Sequence, residues 1–177
     1  TRTDMPIRDT PFSIQVVPQQ VLEDRNVRTL TEAFETVSGV VEDFRSLNSS
    51  NIGARRIRGF QQFGSLRDGF TDNNNLLPLD VVEQVEVLKG PASVLTGAIE
   101  PGGIINYVTK KPLDEPFYEL GFEVGSYGLY KPSVDLSGPL STDGNVLYRF
   151  IASYQSEDSF QDFAHSEQTL IAPSISF

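Results

Sequence analysis

The 177-residue chain has no cysteine and a single histidine, His165. Without thiols there can be no disulfide, thiolate metal site or cysteine nucleophile, and the chain suits any compartment, the periplasm included. One histidine excludes multi-histidine metal centres and most histidine-dependent triads. Basic residues are scarce: 14 Lys and Arg stand against 24 Asp and Glu, for a net charge of −10. A nucleic-acid partner, which needs a basic face to displace counterions, is therefore not expected. No stretch approaches the roughly 18 apolar residues of a membrane helix. That test does not exclude a barrel, whose strands alternate and signal weakly. There is no Gly-x-Ser-x-Gly elbow, phosphate loop or zinc signature, so an enzyme is not expected. The chain opens on Thr1 with no apolar signal segment before it, and is expected to begin inside a longer product.

What is present divides into two halves with different patterning. Residues 1–112 read as a compact mixed α and β domain of short elements. Phe12 to Val17 is a strand candidate, and Pro18 can open a helix over Gln19 to Arg25. Thr29 with Glu32 three residues on forms a capping-box pattern. Leu30, Ala33, Phe34 and Val37 follow at helical spacing, and Gly39 is placed to end the helix. Short strands are expected at Arg56 to Arg58, around Leu66-Arg67 and at Val81 to Leu88. The polar segments Ser46 to Gly53 and Thr71 to Asn75 read as loops.

Residues 113–177 change to long alternation. Tyr118, Leu120, Phe122 and Val124 share one face, opposite Glu119, Gly121, Glu123 and Gly125. Tyr130 to Gly138, Val146 to Glu157 and Thr169 to Phe177 alternate similarly, with Ile151 the exception among the polar positions. Period-two alternation over about ten residues, with aromatics near strand ends, suits a membrane barrel strand; it also suits a soluble antiparallel sheet with one wet face. The connections favour the membrane. Gly138 to Asn145 is a compact turn and Ser156 to Glu167 a longer polar loop, although Tyr127-Gly128-Leu129 is brief for an outer loop.

The run Glu83-Gln84-Val85-Glu86-Val87-Leu88-Lys89-Gly90-Pro91-Ala92-Ser93 resembles the hallmark of the plug of TonB-dependent siderophore receptors. It is followed by Pro101-Gly102-Gly103-Ile104-Ile105-Asn106 and Thr109-Lys110-Lys111-Pro112, and preceded by Thr10-Pro11, Arg58-Gly59-Phe60 and Arg67-Asp68-Gly69. Gly125-Ser126-Tyr127-Gly128, Asp135 to Leu140 and Ala172-Pro173-Ser174 are similar to the family's first barrel strands. The resemblance implies an α+β plug domain followed by the first antiparallel strands of a transmembrane β-barrel. About four strands cannot close one, so the chain is expected to be a fragment of a larger protein.

The implied function is an outer-membrane transporter of ferric siderophores, with no resident cofactor or metal. It would be energised by TonB through a segment upstream of Thr1. The cell would be Gram-negative in type, and the plug would sit inside the barrel facing the periplasm. On the apical plug loops, the resemblance implies ligand contacts at Arg45, Asn48, Gln62, Phe63, Asn73, Asn74 and Asn75: Arg45 for an anionic complex, Phe63 for stacking, the asparagines as donors. The plain alternative is an ordinary polar loop. Arg58 and Lys89 match basic plug positions that pair with barrel-wall carboxylates, and their alternative is a solvated surface charge. Lysine at 89, where arginine is common in the family, forgoes the bidentate fork. Asp68, Asp72 and the Asn run lack the spacing of a calcium loop. Cobalamin, haem or oligosaccharide remains an alternative cargo, and a truncated soluble periplasmic binding module an alternative product.

Overall fold

The computed structural model describes residues 13–27, 29–42, 55–62, 64–72, 77–90, 101–141, 143–158 and 165–177. The chain forms two compact units, one ending at Thr109 and the other spanning Lys110–Phe177.

In the first unit, β1 (Ser13–Pro18) runs into α1 (Gln19–Asp24), with Pro18 as the N-cap rather than the first helical residue. Helix α2 (Leu30–Phe34) is capped as expected: the Thr29 hydroxyl accepts the Glu32 N–H at 3.3 Å. It is shorter than its spacing suggested, because it stops at Phe34. Val37 is buried by the turn that follows, and Gly39, at φ +74°, serves the entry to β2 (Val40–Glu42) instead of ending the helix. Two tight hairpins come next, β3 (Arg55–Ile57) with β4 (Phe60–Gln62) and β5 (Ser65–Arg67) with β6 (Phe70–Asp72). Arg58-Gly59 and Asp68-Gly69 form their turns, all four residues at positive φ, as a type I′ turn demands. Thr71 and Asp72, expected in a loop, are strand residues, paired with Leu66 and Ser65. A 3-10 turn at Leu79–Val81 leads into β7 (Val82–Lys89), and β8 (Gly103–Thr109) completes the unit.

The strands form a mixed sheet of order β1-β7-β8-β5-β6 and a smaller sheet, β2-β3-β4. β7 pairs antiparallel with β1 and β8, and β8 pairs parallel with β5. The apolar run of β7 follows from that central place, since a strand covered on both faces loses the polar half of its alternation. Val17, Val85, Val87, Ile105 and Tyr107 are buried on one face; Leu66, Leu88 and Ile104 are buried on the other, with Ile14 packed against them. Each such aliphatic contributes about 1.5–3 kcal/mol. Within the second face, Glu86 accepts the Asn106 side-chain N–H at 2.9 Å, and Asn106 accepts the Gly69 backbone N–H at 3.0 Å.

The second unit is a four-stranded antiparallel meander of β9 (Phe117–Val124), β10 (Tyr130–Pro139), β11 (Leu147–Asp158) and β12 (His165–Ser176). Its fold class is the one expected, an α+β plug followed by antiparallel strands that do not close. β12 begins four residues before the expected Thr169, and β11 extends to Asp158, so the first three and last three residues of the expected loop from Ser156 to Glu167 are strand. The β9–β10 link is a type I′ turn with Tyr127 at φ +56° and Gly128 at φ +68°, which explains its brevity. Alternation holds through the register. Tyr118, Leu136, Phe150 and Pro173 line up on one face, as do Leu120, Val134, Ala152 and Ile171, while Ser137, Arg149 and Ser174 line up on the other. The apolar face is open: Leu120 is 83% exposed and Ile171 68%.

Gly103 needs its missing side chain. It sits at φ +135°, and a Cβ there would lie 2.1 Å from the Leu88 carbonyl oxygen. Gly59, also at positive φ, has open space around it. Gly103→Ala should therefore destabilise unit 1 by more than ~2 kcal/mol and Gly59→Ala by ~1 kcal/mol. Limited proteolysis should show the first variant cleaved markedly faster than the second. Equal cleavage would contradict the backbone clash.

Candidate functional site

Two cations lie close together at one end of β7. The β3–β4 turn holds Arg58 in the left-handed region, φ +53°, with its backbone N–H donated to the Gly39 carbonyl at 2.8 Å. Its guanidinium reaches over Gly90, where an added Cβ would lie 3.5 Å from Nη1. Arg58 is exposed, and among the described residues it has no carboxylate partner. Lys89 is differently placed. Its Nζ donates to Gln15 Oε1 at 2.8 Å and to Ser38 Oγ at 3.1 Å, and Gln15 Nε2 donates to the Thr36 carbonyl at 3.1 Å. The lysine thus ties edge strand β1 and the turn after α2 to the central strand. Burial pushes its pKa below the ordinary lysine value, and the nearby charge of Arg58 pushes the same way. Within the described residues, the arrangement leaves Arg58 as the basic group free to meet an outside anion and commits Lys89 to holding β1.

Of the residues expected to contact ligand, Gln62 is in β4, buried, with its Nε2 donating to the Gly64 carbonyl at 2.5 Å. Arg45, Asn48, Phe63, Asn73, Asn74 and Asn75 lie outside the described residues. Beside Gln62 on the neighbouring strand is a buried cation that sequence reasoning passed over. Arg55 donates from Nη1 to the Tyr107 hydroxyl at 2.9 Å and stacks its guanidinium 4.5 Å from the centre of the Phe34 ring. The phenol's pKa is raised by burial, with Arg55 opposing. This cluster joins α2, β3 and β8 across the two sheets of the plug.

A second charged cluster, also missed, lies on the inner face of the four-stranded sheet. Asp135 on β10 accepts Arg149 Nε at 2.9 Å and Nη2 at 2.7 Å, a bidentate pair, and also Lys110 Nζ at 3.2 Å. All three side chains are at most 9% exposed. The available signal was position: Asp135 and Arg149 both fall on the polar face of neighbouring strands, two residues apart in register.

Residues 6–104 match the family described as the TonB-dependent receptor plug domain. The chain belongs to that family. The metal-pseudopaline receptor CntO of Pseudomonas aeruginosa is 38% identical over 179 residues, which take in 100% of this chain and 25% of that protein. The ferrichrome outer membrane transporter/phage receptor of Escherichia coli K12 is 30% identical, again over 100% of the chain and 25% of the relative. Among solved structures, the ferripyoverdine receptor of the P. aeruginosa outer membrane bound to ferripyoverdine is similar with a TM-score of 0.89 at 29% identity. That likeness covers 99% of this chain and 24% of the receptor. The chain thus spans about a quarter of the length of the relatives it matches. All three relatives are receptors, the ferrichrome and ferripyoverdine proteins being of the outer membrane, and the likeness takes in the strands after Thr109 as well as the plug.

The Lys89 environment makes a pH prediction. A lysine whose folded pKa lies below its unfolded value costs stability while charged. That cost is full below the folded pKa and vanishes as pH rises from there to the unfolded value near ~10.4. Amine labelling of Lys89 should therefore reach half its plateau at lower pH than labelling of the exposed Lys111. Coincident profiles would contradict the burial.

Proposed function

We propose that this chain is the plug and first barrel strands of an outer-membrane receptor that imports ferric siderophores, energised through TonB. The observation that carries the reading is the likeness to the ferripyoverdine receptor across nearly the whole chain. The apolar face of the meander supports it. Tyr118, Leu120, Phe122, Val124, Ile171 and Ile175 are all well exposed on one side, an arrangement that suits lipid, while the opposite side carries a buried ion pair and serines. Free edges on β9 and β12 fit the start of a barrel completed by further strands.

In this reading the plug sits in the barrel lumen with its N-terminal end toward the periplasm, where TonB takes hold of a segment before Thr1. Arg58 faces a barrel-wall carboxylate. Cargo meets the apical loops through Arg45, Asn48, Gln62, Phe63, Asn73, Asn74 and Asn75. For Gln62 this requires its amide to leave the Gly64 carbonyl, so it contacts cargo only if its loop rearranges. Strand β1 is the first element a pull on the N-terminus loads. Its paired residues run from Ser13 opposite Lys89 to Pro18 opposite Gln84, so the Ser13–Lys89 pair stands nearest the pulled end.

A second reading has its own support. The relative CntO, at 38% identity, is a receptor for metal-pseudopaline, which favours a metallophore of that type over an iron-specific siderophore. Uptake in cells expressing the full reading frame, with and without functional TonB, separates the two. Radiolabelled ferripyoverdine or ferrichrome should accumulate at least tenfold above the TonB-deficient control. Accumulation of metal-pseudopaline alone would select the second reading, and TonB-dependent uptake of only cobalamin, haem or oligosaccharide would overturn both.

A further inference from the structure

We propose that the Asp135–Arg149–Lys110 cluster is a clamp fixing the segment Lys110–Pro116 to the sheet, so that displacement of the plug stops at Thr109 and does not reach β9. The inference rests on the reading of the plug as an element that is pulled, and on the following geometry.

Lys110 is the first residue after the plug's last strand, and its ammonium is held by Asp135 at 3.2 Å. The next residue is held by its backbone: Arg149 Nη1 donates to the Lys111 carbonyl at 2.8 Å while its Nε and Nη2 stay on Asp135. Two residues on, the Leu113 N–H donates to Ser137 Oγ at 2.8 Å, and Ser137, fully buried, donates in turn to the Tyr148 carbonyl at 2.8 Å. At the end of the segment, Pro116 packs on Gly138 so closely that a Cβ there would lie 3.2 Å from Pro116 Cα. Phe117, which begins β9, places its ring 5.7 Å from the Arg149 guanidinium. A segment with no secondary structure of its own is thus fastened at four points along its length to two adjacent strands.

The fastenings on either side of the Thr109–Lys110 bond are unequal. On the plug side, Asp68 accepts the Thr109 N–H at 2.9 Å and its hydroxyl at 2.7 Å, both in exposed positions where water can replace them. On the sheet side the carboxylate is shared by two buried cations, and losing it would strand both charges away from water. A load along the chain therefore releases Asp68 from Thr109 before it disturbs Asp135.

The test uses the full-length receptor in a bilayer, pulled from an N-terminal handle by force spectroscopy. It needs neither cargo nor transport, so its outcome is separate from that of the uptake experiment. In the unaltered protein the chain should extend as far as Thr109 and then stop. Asp135→Ala should lengthen the released contour by about 24 Å, seven residues at ~3.4 Å each, before β9 resists. Lys110→Met, which leaves the Asp135–Arg149 pair intact, should keep the stopping point but lower the force at which it yields, and this variant decides the matter if Asp135→Ala fails to assemble. Identical released contours and yield forces in variant and unaltered receptor would overturn the clamp.

Discussion

Strand β7 cannot be taken out of the plug without taking both of its neighbours with it. It pairs with β1 along six residues on one edge and with β8 on the other. The aliphatic side chains on both of its faces supply much of the core, and Lys89 at its end holds β1 and the turn after α2. Close approach of β8 is possible only because Gly102 and Gly103 present no side chain to the Ile57 and Leu88 carbonyls. The small sheet then joins through the Arg55, Tyr107 and Phe34 cluster. The unit is therefore rigid at its centre and held at its first strand by an edge pairing and a few polar contacts. That suits a domain loaded from its N-terminus.

The second unit answers a different constraint. Its strands alternate because one face is apolar where Tyr118 and Leu120 line up with Val134, Leu136, Phe150 and Ile171, while the other carries groups that need partners. Charges on that other face are costly to bury singly, and Asp135 resolves this by serving Arg149 and Lys110 together. The same contacts fix the chain between the two units. Polarity is thus placed where it positions backbone, in Asp135 and Ser137 for Lys110–Pro116 and in Asp68 for Thr109.

Much of this was legible in the sequence, and the exceptions have physical causes. The long strands of the second unit announce themselves because alternation persists for eight to twelve residues. The Thr29 cap and the apolar run of β7 are equally local signals. Helix α2 was read too long because Val37 continues the 3.6 spacing, yet the chain had already turned after Phe34 and buried that valine without a helix. Strands of three residues such as β2 and β6 carry too little pattern to see, being fixed by hairpin pairing across Asp68-Gly69 and by neighbours distant in sequence. The clamp was hidden by register. Alternation alone puts Asp135 and Arg149 on polar faces without saying which residues of the two strands stand side by side. The observed pairing of Pro139 with Leu147 sets Arg149 opposite Ser137, within reach of Asp135. Arg58 was visible as a motif residue, but the contrast between its exposure and the commitment of Lys89 required coordinates.

If the meander is a piece of membrane barrel, Tyr118, Leu120, Phe122 and Val124 face lipid and Glu119, Gly121 and Glu123 face the lumen. Spin labels placed singly along β9 of the full-length receptor in lipid vesicles test this directly. Oxygen accessibility should peak at positions 118, 120, 122 and 124 and fall at 119, 121 and 123. Accessibility without that period of two, or higher at the odd positions than the even ones, would contradict the account.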